Sequence, residues 1–128
     1  MQSCAFLSAI LLGVCGCSQQ PTKLAGQIAV ADRLVATNYG THTQLSLSGH
    51  EMKKIVNAIS SAKRDRHHYA AMFDWELRFY SGSNFITSVR MQDRLFWTDH
   101  AQFSDETGVL KALYQGPFLK ASERNLSQ

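Results

Sequence analysis

The strongest constraint on the fold is the segment from Phe73 to Tyr80, in which apolar and polar side chains alternate. Its odd-numbered positions hold Phe, Trp, Leu and Phe, and its even-numbered positions hold Asp, Glu, Arg and Tyr. Successive side chains of a strand point to opposite faces of a sheet, so a period of two predicts a strand with one buried and one wet face.

Further strands follow this segment at short intervals. The turn-forming run Ser81–Asn84 leads into a β-branched stretch, and two more short apolar stretches come after it. Short loops favour antiparallel neighbours, so we expect a meander of three to four strands. An additional strand is predicted near the N-terminus, before Gly40. The predicted strands are 33–39, 73–80, 85–91, 94–98 and 102–103.

Two helices are expected to cover this sheet. Ser48 and Glu51 have the spacing of a capping box, and apolar residues then recur at helical spacing at positions 52, 55, 56 and 59. The second helix is expected from about Ser104 to Gln115, with Ser104 or Asp105 capping its start and 116–117, Gly-Pro, closing it.

These elements predict an α+β domain with the order β-α-β-β-β-α. The length allows one domain, for which we expect residues 24–119. The segment 24–31 suits either a short helix or an edge strand, and residues 120–128 are expected to form a disordered tail.

The N-terminus carries an apolar run, Ala5–Val14, that leads into Val14-Cys15-Gly16-Cys17. About ten apolar residues are too few to span a bilayer, which needs roughly 20, so the run indicates a targeting segment. Gly16, a small residue, directly precedes Cys17, and Val14, an aliphatic residue, lies three positions before it.

This pattern resembles the signal of bacterial lipoproteins. The resemblance implies cleavage between Gly16 and Cys17, lipidation of Cys17, a signal peptide at 1–16 and a polar tether at 17–23. It also implies a membrane-anchored domain on the periplasmic or extracellular side of the cell envelope, with membrane lipid as a partner. A signal without lipid, or an ordinary apolar helix over residues 1–17, are the alternatives.

The positions of the cysteines and the net charge limit the kinds of site that the domain can form. All three cysteines lie in the first seventeen residues, so the rest of the chain has no disulfide, thiolate metal site or cysteine nucleophile. The net charge is +3, and no basic stripe with interleaved aromatic residues is present, so we expect no nucleic-acid partner. A modest attraction to anionic headgroups fits this charge better.

The most basic segment is 63–68, directly after the first predicted helix. Its cations suit the negative end of a helix dipole. The alternative is contact with headgroups or with an acidic partner. The candidate contact residues are Lys63, Arg64, Arg66 and Trp97.

Catalytic patterns are weak. The histidines lack metal-ligand spacing, so no metal, cofactor or catalytic residue is predicted. One local cluster combines an imidazole with carboxylates and a hydroxyl, at Asp99, His100, Ser104, Asp105 and Glu106. Its residues are more typical of turns and caps than of a triad. Asp74 and Glu76 are expected on the wet face of one strand, where arginines make an ordinary charged surface.

The sequence therefore predicts a non-enzymatic lipoprotein whose domain binds another protein. The expected signature is an exposed sheet face or edge that carries Tyr80, Phe96 or Trp97. The alternatives are a small-ligand carrier and a hydrolase that uses His100 and nearby carboxylates.

Overall fold

A seven-stranded antiparallel sheet forms the centre of the fold. A computed structural model of the chain describes residues 20–66, 73–98 and 101–126. The strands in these segments are β1 (Arg33–Asn38), β2 (Thr43–Ser48), β3 (Lys63–Arg64), β4 (Trp75–Ser81), β5 (Asn84–Gln92), β6 (Leu95–Trp97) and β7 (Gln102–Ser104). Their spatial order is β2-β1-β4-β5-β6-β7-β3.

Three helical stretches accompany the sheet in the described part of the chain. Two of them are α1 (Thr22–Ile28) and α2 (Gly49–Ser60). The third combines α3 (Val109–Leu113), a π-helical turn (Tyr114–Phe118) and α4 (Leu119–Leu126). The α+β fold class is confirmed, and so is the meander, which runs through β4, β5, β6 and β7.

Before α2 the chain contains one strand more than predicted, and of the two expectations for the segment 24–31 the short helix is confirmed. The strand β2 pairs with β1 along its whole length, so a hairpin stands where one strand was expected. The helix α1 begins at Thr22, inside the expected tether, and Pro21 is buried at its start. Proline is tolerated there because the first amide donors of a helix need no intrahelical acceptor. Leu24 and Ile28, one turn apart, then bury against the core.

The basic segment is placed differently from the prediction. The helix α2 ends at Ser60 without a basic residue in its last turn, and Lys63 and Arg64 form the edge strand β3. In β3, Lys63 lies opposite Ser104 and Arg64 opposite Phe103. The expectation that these cations complement the helix dipole was therefore wrong.

The helix starts also differ in detail. Ser48 precedes α2 as predicted, but its side chain makes no capping hydrogen bond. At α3 the residue before the helix is Gly108, with φ of 89°. Asp105 nevertheless accepts a hydrogen bond at 2.9 Å from the amide of Leu110, as a capping residue would. Its carboxylate therefore caps the first turn of α3, although Gly108 and not Asp105 directly precedes the helix.

The C-terminal helix continues where the sequence predicted an end. Pro117 lies inside the π-helical turn, and the chain remains helical to Leu126. Phe118 is fully buried, and Ala121 and Ser122 are buried one turn further on. This burial stabilises a helix across the Gly-Pro pair, so the expected tail at 120–128 was wrong for the residues up to 126.

The core lies between the helices and one face of the sheet. Ile28, Ile59, Leu110 and Phe118 come from the helical side and are fully buried. The sheet contributes side chains of equal burial, among them Leu34, Leu77, Phe79, Met91 and Phe96. In the described segments, every helical stretch packs on this face of the sheet, and no helix covers the opposite face.

Candidate functional site: the open face of the sheet

The face of the sheet opposite the helices, here called the open face, carries charged and aromatic side chains. It follows from the alternation in β4: Trp75, Leu77 and Phe79 are buried, while Glu76, Arg78 and Tyr80 lie between them. Cross-strand register aligns them with residues of β1, β5 and β6 on the same face. The aligned sets are Arg33 with Tyr80, Val35 with Arg78 and Ser88, and Thr37 with Glu76, Arg90 and Trp97.

Two aromatic rings on this face lie between two arginines. The guanidinium carbon of Arg33 lies 4.5 Å from the ring centroid of Tyr80. Tyr80 meets Phe85 edge to face with 5.8 Å between centroids, and Arg78 lies 4.5 Å from the Phe85 centroid. Cations over aromatic faces are attracted by the ring quadrupole, by about 0.5–1 kcal/mol at exposed sites. The stack therefore holds both guanidinium groups in place at the surface.

Hydrogen bonds connect the stack to a carboxylate. Arg78 donates from Nε to Oη of Tyr80 at 3.2 Å, and its NH1 lies 3.7 Å from Oε1 of Glu76. Tyr39 donates from Oη to the same carboxylate oxygen at 2.6 Å. The pKa of Tyr39 is raised, chiefly by this hydrogen bond, and the pKa of Arg78 is raised, chiefly by its bond to Tyr80.

A shallow groove of about 600 Å³ runs over β2, β1 and β4 on this face. Its walls include Arg33, Arg78, Tyr39 and Tyr80, and Val35 lies in its floor. The aligned positions on this face hold three arginines, Arg33, Arg78 and Arg90, and one carboxylate, Glu76. The open face is therefore both basic and aromatic, a composition enriched at protein interfaces.

The predicted contact residues separate into two groups. Trp97 is 40% exposed and shares the open face with Arg90, its register partner. Lys63 aligns with Ser104, whereas Arg64 aligns with the buried Phe103 on the helical side of the sheet. Arg66 is exposed and lies outside the strands. Phe96 is fully buried, so the expectation that it lies on an exposed surface was wrong.

The residues weighed for hydrolase chemistry have other partners. Asp99 and His100 lie outside the described residues. Ser104 accepts from Nε of Arg94 at 3.2 Å and donates to Oε2 of Glu106. Asp105 is buried and accepts from Leu110 and from both donors of Thr107.

The pair of carboxylates predicted on one strand face is not held together. Asp74 precedes β4 and accepts a hydrogen bond at 2.8 Å from Oη of Tyr114 on the π-helical turn. Glu76 accepts from Tyr39 on the open face. The expectation that both lie on the wet face of the strand was wrong for Asp74.

Comparison with other proteins does not extend these observations. No protein-family model matches the chain, and neither the characterised proteins nor the solved structures contain a match. Over residues 20–66, 73–98 and 101–126, no helix has the length and apolar character to cross a membrane. No group of three potential metal ligands occurs in those same segments.

Sequence reasoning identified part of this site. Glu76, Arg78 and Tyr80 were assigned to the wet face of β4 by their alternation. The sequence does not predict Arg33 there, because its place depends on the pairing of β1 with β4. Tyr39 was missed as well, since it follows β1 and reaches the open face through its hydrogen bond to Glu76. The sequence signal that could have located the groove is the alternation in β2, where Leu45 and Leu47 alternate with Gln44, Ser46 and Ser48. In the structure, Thr43 and the two leucines are more buried than these three polar residues.

Proposed function

We propose that the protein is a membrane-anchored envelope lipoprotein, lipidated at Cys17, whose open face binds an acidic surface of another protein. The observation that carries the proposal is the stack of Arg33, Tyr80, Phe85 and Arg78 on a sheet face that no described helix covers. Arginine and tyrosine are enriched among the hot spots of protein interfaces.

Preorganisation supports the same proposal. The guanidinium groups are held by aromatic faces and by the hydrogen bond from Arg78 to Tyr80. An acidic partner would therefore meet cations whose side-chain freedom is already restricted, which lowers the entropic cost of binding. Phe85 is 49% exposed and offers an apolar contact beside them.

The position of the tether is compatible with such a partner. The tether joins the domain at Gln20, two residues before α1 begins at Thr22, and α1 packs on the helical side of the sheet. An anchor on that side leaves the open face directed away from the membrane. A partner protein in the envelope could then approach it without obstruction by lipid.

Site-specific photo-crosslinking in intact cells tests the proposal. A photoreactive phenylalanine replaces Phe85 on the open face, and in the matched control it replaces Lys53, which is exposed on α2. We expect a discrete adduct with an envelope protein from position 85 and none from position 53. Adducts of equal pattern and yield from both positions would contradict the proposal.

Charge reversal adds a second arm to the same experiment. The double variant Arg33→Glu, Arg78→Glu should abolish the adduct from position 85. The control Lys53→Glu, Lys54→Glu carries the same change of net charge on α2 and should retain it. Retention of the adduct by the first variant, with its circular dichroism spectrum unchanged, would show that the arginines do not bind the partner.

A further inference from the structure

A second cleft, of about 380 Å³, lies on the helical side of the sheet, next to the point where the tether enters the domain. Its apolar lining comes from Pro21, Leu24, Ala101 and Phe103. Lys23 and Arg64 add two cations, and the described residues that line it include no Asp or Glu. Among the described residues, the cleft thus combines apolar and uncharged polar side chains with two cations and no carboxylate.

The two cations reach this cleft from separate elements. Arg64 lies opposite Phe103 in the pairing of β3 with β7, so Arg64 and the buried ring of Phe103 are both on the helical side of the sheet. Lys23 precedes Leu24 in the first turn of α1. Within the described residues neither cation is held in a salt bridge, since the ion pair found there joins Arg78 to Glu76.

Chain length places the cleft near the anchor. Gln20 lines the cleft and follows Cys17 by three residues, which span at most about 11 Å when fully extended. The polar headgroup layer occupies roughly 5–7 Å of each leaflet. A lipid on Cys17 would therefore hold the mouth of the cleft at or just above the headgroups.

We propose that this cleft binds the headgroup of an anionic phospholipid in the membrane that holds the protein. Lys23 and Arg64 contact the phosphate oxygens, and the apolar floor formed by Leu24 and Phe103 receives the adjoining glycerol and first methylenes. The inference rests on the proposed anchorage at Cys17. Basic side chains attract anionic lipids when they are held near the surface, which the short tether ensures.

Headgroup photo-crosslinking tests this site. The protein purified from membranes is placed in phosphatidylcholine vesicles that contain photoreactive phosphatidylglycerol, and adducts are mapped by mass spectrometry. We expect adducts on residues 20–27 and beside Arg64. The variant Lys23→Gln, Arg64→Gln should lower their yield by about tenfold or more, given the attraction of each cation.

The control variant Lys53→Gln, Lys54→Gln removes the same charge from the exposed side of α2. Its adduct yield should remain unchanged, and both variants should unfold at the same urea concentration as the wild type. Equal losses in the two variants would reduce the effect to general electrostatics and overturn the site. Adducts of equal yield when photoreactive phosphatidylcholine replaces the photoreactive phosphatidylglycerol would overturn the assignment to an anionic headgroup.

Intact mass of the same sample separates this inference from the proposed function. A lipidated chain without adducts at the cleft overturns the headgroup site and leaves the anchor. If the chain is unlipidated and still forms adducts at the cleft, the proposed anchor is wrong and the headgroup site is supported. An unlipidated chain without adducts overturns both.

Discussion

The ring of Phe118 stacks on the indole of Trp75, with 4.1 Å between centroids and 25° between planes. Trp75 opens β4, and Phe118 ends the π-helical turn. The contact joins the C-terminal helix to the first residue of the strand that carries the open face. Burial of Phe118 thus explains why the chain remains helical through Pro117.

Removal of this ring should therefore be costly. We expect Phe118→Ala to lower the free energy of unfolding by about 3–5 kcal/mol, since it leaves a cavity in a closely packed core. The neighbouring Leu119 is 49% exposed, so Leu119→Ala should change the stability by less than about 1 kcal/mol. Urea unfolding measures both, and similar losses in the two variants would contradict the packing described.

A second prediction compares two residues that the sequence singled out as caps. Asp105 is buried and accepts hydrogen bonds from Thr107 and Leu110, whereas Ser48 makes no capping bond. We expect Asp105→Ala to cost about 2–4 kcal/mol, because it leaves the buried amide of Leu110 without an acceptor and removes the hydrogen bonds to Thr107. Ser48→Ala should cost about 0.5 kcal/mol or less. The reverse order in urea unfolding would refute this assignment of the caps.

Local pattern explains what could be predicted of the fold. Alternation identified β4, and helical spacing identified the buried face of α2, because each signal lies within one element. The start of α1 at Thr22 and the continuation past Pro117 could not be predicted, since burial of Leu24 and Phe118 outweighs the local breakers. Tertiary packing, and not propensity, decides such short helices.

The candidate sites were less predictable than the fold. Tyr80 and Arg78 share a face by their spacing in β4, but the approach of Arg33 to Tyr80 depends on pairing between strands distant in sequence. Lys23 and Arg64 meet at one cleft because α1 packs beside the edge strand β3. Neither relationship has a signature in a single segment.

The hydrogen bond from Tyr114 to Asp74 makes a prediction about pH. Burial, together with this bond, raises the pKa of Tyr114 to about 12. In the unfolded chain the phenol ionises near pH 10, so from about pH 10 to about pH 12 the unfolded state loses a proton that the folded state retains. The stabilisation from this group is complete below pH 10 and is lost as the pH rises through that window.

The variant Tyr114→Phe isolates this effect. Its stability deficit against the wild type should shrink by up to about 2 kcal/mol between pH 10 and pH 12. Absorbance titration should show one tyrosinate signal near pH 12 that is absent from the variant. A Tyr114 that titrates near pH 10 would contradict the burial of its phenol.

Anchorage gives a further prediction. Cys17→Ala removes the residue that we propose carries lipid, and neither a net charge of +3 nor a short tether is sufficient for stable membrane binding. We expect this variant to move from the membrane fraction to the soluble fraction. Cys15→Ala is the matched control and should stay with the membrane. A Cys17→Ala variant that remains membrane-bound would show that another feature holds it.

The intact mass of the protein recovered from membranes tests lipidation at Cys17 most directly. We expect a chain whose first residue is Cys17 and which carries a diacylglyceryl group, with or without a further acyl chain. An unmodified chain that begins at Met1 would contradict export, lipidation and the orientation proposed for the open face.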